Sequence, residues 1–347
     1  MHTTLDALTD LRRELTARGW MRKATSRIVL EWLLHLTVAL AALWVFATAH
    51  SLPVRICAIL ISTAASMGLA TNTHTSSHYA TSSRRWVNDL ITLLGYPVFV
   101  GMSACYWRHK HCVLHHSAPN VIGVDSDIDL SPWFARTWEE VLASTGWRSF
   151  YYRRLQVFVF PFTIPLIGFN MQFQSWRWLI GHARVSWDRK YKIDFLGLAL
   201  HYLVWVAIPL AFFPVAHVAE FYLLRIALMG CALFAVLGPG HLPEEAACLK
   251  GSGGQDFVLL QAAATLNFRT GFFGRLICSG LEYQIEHHLF PNVSHVYYPK
   301  MAPLVQKFCA EQGVPYRSCS WPAAIWKSLC VFHEPPPIEV NLEARRT

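Results

Sequence analysis

Four apolar runs, at about residues 28–49, 53–71, 194–213 and 219–239, constrain this chain more than any other feature. A helix that crosses a ~30 Å hydrocarbon core needs roughly 20 mostly apolar residues, and each run is about that long. The runs fall into two pairs, joined at His50 to Arg55 and at Pro214 to Glu220, and both joints are short and poor in Lys and Arg. Lipid offers exposed backbone no hydrogen-bond partner, so each run must be a helix and each pair a hairpin. Composition agrees: charged residues are only 15% of the chain and mean hydropathy is +0.29, whereas soluble domains are near a quarter charged.

A net charge of +8 raises the question of nucleic acid. The basic residues instead cluster beside apolar runs, Arg12, Arg13, Arg18, Arg22, Lys23 and Arg27 before the first and Arg184, Arg189, Lys190 and Lys192 before the third. That is the pattern of positive-inside orientation, with both termini in the cytosol and no nucleic-acid partner. The first run, about 22 residues from 28 to 49, exceeds a signal peptide's apolar core of roughly 7–15 residues and is expected to span rather than to be removed. Nine cysteines form no CxxC pair and read as reduced thiols. No repeat or long linker divides the chain, so residues 1–347 are expected to form a single domain.

Two further apolar runs, about 87–106 and 156–172, carry Asp89 and Pro97, and Pro161 and Pro165. An uncompensated Asp deep in a bilayer costs ~2.5–3.5 kcal/mol on insertion scales. If these runs crossed, the histidine clusters described next would be divided between the two sides of the membrane. Both are therefore read as interfacial or partly buried helices on the cytosolic side.

The chain has seventeen histidines, and eight of them fall in four places that this topology brings to one membrane face. His74 and His78 stand four apart just past the second run. His111 and His115 repeat that spacing, with His116 adjacent. His241 lies at the exit of the last run. His287 and His288 stand three and four residues after Gln284, so all three are expected to point the same way. Any single histidine is more often an ordinary packed or surface residue, and His2, His35, His50, His182, His201, His217, His295 and His333 are read so. Eight clustered imidazoles point instead to metal, since helical spacing lets neighbouring rings reach one ion. One zinc needs about four ligands, so the count suggests two redox-active ions. Cys112 is read as packing and His109 as a supporting group. Asp89, Asp125, Asp127, Asp129, Glu244, Glu245 and Glu286 are possible partners for the ligands' second nitrogens. Glu286 is not expected to bind metal itself.

These clusters resemble the three histidine boxes of membrane fatty acid desaturases: HxxxH at 74–78, HxxxHH at 111–116 and QxxHH at 284–288. QIEHHLFP (Gln284 to Pro291) is similar to the third box of the front-end branch, as are the stretches His115 to Pro132 and Phe290 to Tyr316, so the likeness covers about residues 70–316. The resemblance implies an all-α integral membrane protein: four transmembrane helices in two hairpins under a cytosolic helical cap that holds a histidine-rich di-iron site. It implies two non-haem irons on His74, His78, His111, His115, His116, His241, His287 and His288, with O2 as co-substrate. Gln284 is expected to belong to the catalytic site as well, at the position where other branches have histidine, and Gly240 stands where this branch often has Asn. No HPGG haem motif occurs, so the expected electron donor is a separate protein of ferredoxin or cytochrome b5 type.

The function this implies is O2-dependent desaturation of a fatty-acyl chain linked to lipid, CoA or acyl carrier protein, in a multi-pass protein of the bacterial cytoplasmic membrane. Acid–base chemistry cannot open an unactivated methylene, so the cofactor must supply the oxidant and the protein must position the carbon pair. The helices at 87–106 and 156–172 are candidate walls of an acyl tunnel. Hydroxylation or acetylenation could use the same site. A histidine-rich metal-binding or transport protein is the rival from another class, but a transporter should carry its ligands near the bilayer midplane.

Overall fold

The computed structural model describes residues 3–251, 256–340 and 342–345. It opens on α1 (Thr4–Ala17), which buries Leu8, Leu11 and Leu15 at helical spacing and is closed by a Thr3–Asp6 capping box. The first hairpin follows, α2 (Thr25–Thr48) and α3 (Leu52–Ser77). On α2 the exposed Leu30, Leu33, Leu34, Leu40 and Trp44 make an outward apolar face that suits lipid rather than water. Helix α3 runs six residues beyond the expected end at 71, so His74 sits in its last turn and His78 caps it.

The run expected as one helix over 87–106 is broken. Helix α4 (Arg85–Leu93) widens into a π-helical turn at Leu94–Val100 around Pro97, which cannot donate to the ordinary ladder. After Gly101 the chain restarts as α5 (Ala104–Trp107) and widens again at Arg108–His115. The two halves meet at 112°. The bend leaves carbonyls unpaired, and side chains from neighbouring spans take them up. His201 Nδ1 (3.0 Å) and Trp205 Nε1 (3.1 Å) donate to the Val98 carbonyl, Arg225 to Phe99 (2.5 Å) and Gln172 to Val100 (2.8 Å). On the restarting side, the Asp194 carboxylate accepts from Ser103 Oγ and from the Cys105 amide (2.9 Å). A cation thus closes a helix C-terminus and an anion a helix N-terminus, each matching the local dipole. Asp194 and Arg225, charged residues within the spans, thus find their partners in this broken element.

Three short cap helices follow in part: α6 (Trp138–Ala143), α7 (Gly146–Arg154) and α8 (Gln156–Thr163). The run expected over 156–172 is likewise bent, by 70°, between α8 and α9 (Leu166–Val185). The second hairpin is α10 (Arg189–Tyr202), which continues through a wide turn into α11 (Ile208–Leu210), and α12 (Val215–His241). Among the described residues four helices are long and apolar enough to cross a membrane: Thr25–Thr48, Leu52–Ser77, Arg189–Leu210 and Val215–His241.

The rest of the cap is α13 (Phe257–Ala263), α14 (Phe272–Cys278), α15 (Gln284–Leu289), α16 (Tyr298–Glu311) and α17 (Trp321–Cys330). Two small parallel pairs stitch it together. Strand β1 (Cys248–Leu249) pairs with β4 (Ile338–Glu339), and β2 (Asn267–Arg269) with β3 (Ser318–Ser320). One apolar cluster joins Leu8, Leu11 and Leu15 of α1 to Ile285 and Leu289 of α15, Met301 and Val305 of α16, and Leu342. Both ends of the described chain therefore pack on the side that carries the histidines.

Candidate metal centre

Four elements converge on the centre: the end of α3, the wide turn Arg108–His115, the end of α12, and α15. They bring eight imidazoles into two sets. His74, His78, His111, His116 and His287 form one, and His115, His241 and His288 the other, with ligand atoms in each set within 4.8 Å of one another. All are buried except His78, which is partly exposed.

The division follows from helical geometry. Adjacent residues on a helix point about 100° apart, so a neighbouring pair cannot serve one ion but can serve two. His115 and His116 part in this way, and so do His287 and His288, whose ring centres lie 5.5 Å apart within each pair. Each of these two adjacent pairs gives one imidazole to each set, and His116 stacks on His288 across the divide at 4.3 Å.

The Nδ1 atoms of five rings are held. His115 Nδ1–H donates to Asp125 (2.7 Å), His111 to Asp127 (2.9 Å) and His288 to the Gln261 side-chain oxygen (2.9 Å). His287 donates to the Tyr298 oxygen and His241 to the Ala264 carbonyl, both at 3.3 Å. Burial pushes the Asp127 carboxyl up, but the Lys110 ammonium 3.0 Å away and the bond from His111 outweigh it and hold it well below the usual range. Burial likewise pushes the His287 and His288 rings well below the usual imidazole value, so both are neutral and free to bind metal.

Of the inward-facing nitrogens, His111 Nε2 meets His74 Nε2 at 2.8 Å. Nε2 of His115, His116, His287 and His288 is buried with no hydrogen-bond partner, as is Nδ1 of His116. A buried polar atom left unpaired costs ~1–3 kcal/mol. Five in one place are an expensive arrangement unless a cation takes the lone pairs. A set of imidazole nitrogens with carboxylate and amide groups behind them fits a borderline transition metal well.

From His74 a narrow apolar cavity runs down between the spans. Its α3 wall extends from Ile59 to His74, fifteen residues or ~22 Å of helix. Met171 and Gln172 of α9, Met229 and Leu233 of α12, and Tyr96 and Trp107 of the broken element close it in.

A family model for fatty acid desaturases matches residues 49–320. This chain belongs to the fatty acid desaturase family. The desaturase is 29% identical over 332 residues to a Delta(5) fatty acid desaturase of Caenorhabditis elegans, across 94% of this chain and 73% of that protein. It is 28% identical over 283 residues to the sn-1 linoleoyl-lipid 6-desaturase of Synechocystis, across 76% of each. An acyl-lipid (8-3)-desaturase of Physcomitrium patens is 31% identical over 231 residues, across 62% of this chain and 47% of the other. The desaturase is thus an integral membrane oxidoreductase that introduces double bonds into fatty-acyl chains, and its histidine clusters can hold metal.

Several expected positions are corrected by the structure. Gln284, His287 and His288 do not point one way: the histidines part into the two sets, and Gln284 packs on Gly240 of α12. His109 is exposed, its ring 5.4 Å from Trp178, and takes no part in the centre. Cys112 packs as expected, its sulfur 3.6 Å from Ser77 Oγ and 3.8 Å from His78 Nε2. Glu286 is fully buried and accepts from Asn267 (2.8 Å) and Tyr316 (2.7 Å), which ties α15 to the cap. Asp89 pairs with Arg108 and Glu245 with Lys327, away from both sets. Asp129 accepts from the Ser131 amide (3.0 Å), and Glu244 is exposed. Of the other histidines, His35, His201 and His295 are buried with hydrogen-bond partners, while His50, His182, His217 and His333 are exposed; His2 lies outside the described residues.

Three supporting residues of the desaturase were not foreseen. Gln261 bridges the boxes, donating to the His116 carbonyl (3.1 Å) while it accepts from His288. Asn120 (2.9 Å) and Arg136 (2.7 Å) donate to the His241 carbonyl and so fix the end of α12. Asn120 could have been suspected, because it follows the second box in a stretch that resembles the family. Nothing in the sequence marks Gln261 or Arg136.

Proposed function

We propose that the two sets hold two non-haem irons, His74, His78, His111, His116 and His287 around one and His115, His241 and His288 around the other. The desaturase then uses O2 and two electrons to remove two hydrogens from adjacent methylenes of an acyl chain lying in the cavity that opens at His74. The observation that carries this reading is the set of buried, unpartnered imidazole nitrogens at the head of an apolar cavity. When bound, the iron pair supplies the O2-derived oxidising power that an unactivated methylene requires.

The chain's own residues do the rest. Asp125, Asp127 and Gln261 fix the tautomer and tilt of the rings they hold, which keeps each Nε2 lone pair aimed inward. The apolar lining keeps water from the reacting carbons and confines the chain to one track past His74. A single leaflet's tails fill about half of a ~30 Å core, ~15 Å, so a ~22 Å wall is long enough for a membrane-lipid acyl chain. Gln284 is assigned a packing role against Gly240, setting where α15 sits.

Residues 1–347 are read as one domain. Both termini and the centre are assigned to the cytosolic face, in keeping with the basic segments beside the spans and with the packing of both chain ends against the cap. Electrons are assigned to a carrier protein of ferredoxin or cytochrome b5 type, and the acyl group to a lipid, CoA or acyl carrier protein ester. The bacterial cytoplasmic membrane is the assigned location.

Expression in a host of simple lipid content, followed by mass spectrometry with double-bond localisation, tests the reading. A new unsaturated product that disappears in His287→Ala and His115→Ala supports it. A hydroxylated or acetylenic product points to the alternative outcome at the same site, and a product unchanged in both variants rejects the site.

A further inference from the structure

Desaturation by O2 consumes protons as well as electrons. Two C–H bonds break, the O–O bond breaks, and four O–H bonds form: one acyl –CH2–CH2– unit, O2, two electrons from the carrier protein and two protons from solvent give –CH=CH– and two waters. The centre is buried and its main cavity is apolar, so those two protons need a separate polar route.

One such route lies beside His74, apart from the length of the acyl cavity. Resting on the iron reading above, we propose that Glu31, His295 and Thr75 form the proton path from solvent to the metal centre. His295 Nε2–H donates to Glu31 Oε2 at 3.2 Å, and its Nδ1 meets the Thr75 hydroxyl at 2.9 Å. Glu31 is 22% exposed near the start of α2, and its other oxygen accepts at 2.9 Å from Arg27, one turn nearer the cytosolic end and 67% exposed. Thr75 is adjacent to His74. Beyond His295 lies a small polar cavity lined by His74, Thr75, Gly280, His287, His295 and Tyr298, a site of the kind that holds about one ordered water. The path thus begins at the surface and ends against one imidazole from each of two boxes.

The hydrogen bonds suit both states that a relay must visit. A proton entering through Glu31 is taken up at Nε2 of the Nδ1–H tautomer; the imidazolium then gives its Nδ1 proton to the Thr75 oxygen while the Thr75 hydroxyl passes its own proton to the water site beside His74, which leaves Nε2–H on Glu31. The space is made for this ring: Gly280, at φ 89°, lies so close that a Cβ there would come within 2.5 Å of His295 Cβ. The titratable and charged groups around His295 are Glu31, Arg27 and His35 from α2, His74 from α3, and His287 and Tyr298 from the cap. A purely mechanical role would be a clamp between α2 and the cap, and the two roles separate experimentally.

The test uses His295→Gln, which keeps a hydrogen bond to Thr75 but cannot relay, and Glu31→Gln, with full-length protein in detergent or vesicles. The expected result is wild-type iron content and wild-type optical spectrum of the iron-loaded protein, with turnover reduced by about 100-fold in His295→Gln and by less in Glu31→Gln. The residual rate in both variants falls as pH rises, because direct supply from solvent hydronium replaces the relay. Wild-type turnover with a wild-type pH profile overturns the proposal. Loss of iron and turnover together in both variants also overturns it, in favour of the clamp. Absence of iron from the wild-type protein would instead remove the metal reading on which the path rests.

Discussion

Gly240 and Gln284 occupy the same space: a Cβ at residue 240 would come within 2.5 Å of the Gln284 Cγ and 2.8 Å of its Cδ. The glycine before His241 and the glutamine at the head of the third box are therefore in direct contact. The Gln284 side chain fills the room that the missing side chain at 240 leaves.

Gly240→Ala is predicted to destabilise the protein by about 1–3 kcal/mol, the usual cost of overpacking a filled site. Gln284→Ala in the same chain should restore most of the loss, since the clash needs both side chains. Thermal melts of the two single variants and the double variant in detergent measure the coupling, and simple additivity would contradict the contact.

Asp125→Asn is predicted to lower metal affinity by about 10- to 100-fold, because the His115 ring loses the carboxylate that fixes its tautomer. Competition against a chelator of known strength reads this directly. His109→Ala, by contrast, should bind metal as the wild type does, since its ring lies on the surface against Trp178.

Glu282 gives a pH prediction. Burial pushes its carboxyl up to about 7, and its Oε2 has no hydrogen-bond partner. A carboxyl raised in the folded state binds its proton more tightly there than in the unfolded chain. Its contribution to stability is therefore complete below the unfolded value of 4.5 and is lost as pH rises through about 7. The loss amounts to up to ~3 kcal/mol. Wild-type melting temperature should fall between about pH 5 and 7 and level off above, and Glu282→Gln should flatten that slope; an equal slope in the variant would contradict the assignment.

The four spans, the eight histidines and two of the carboxylates behind them could be read from the sequence, because apolar run length and short ligand spacing are local properties. What could not be read depends on approach between distant segments. Pro97 announces a break near residue 100, but the 112° turn is held by Gln172, His201, Trp205 and Arg225, which lie 72 or more residues away. The wide turn at 108–115 also defeats a simple i, i+4 reading, since it sends His111 and His115 to different sets while His109 faces out. Gln261 is an ordinary glutamine in an apolar helix until α15 folds against it.

The cavity predicts a change in substrate range. Ser66 and Met229 line it from opposite spans, so Ser66→Trp should obstruct the track below His74. Products from the longest acyl chains should be lost first while shorter ones persist, as read by mass spectrometry of the product profile. Equal loss across all lengths would place the acyl chain elsewhere.

Iron determination on the purified wild-type chain, beside His241→Ala, tests the central claim most directly. Two histidine sets predict two non-haem irons per chain in the wild type and a fall towards one in His241→Ala, which leaves its set only His115 and His288. A single ion in the wild type, a haem absorption band, or a variant that keeps both irons would contradict it.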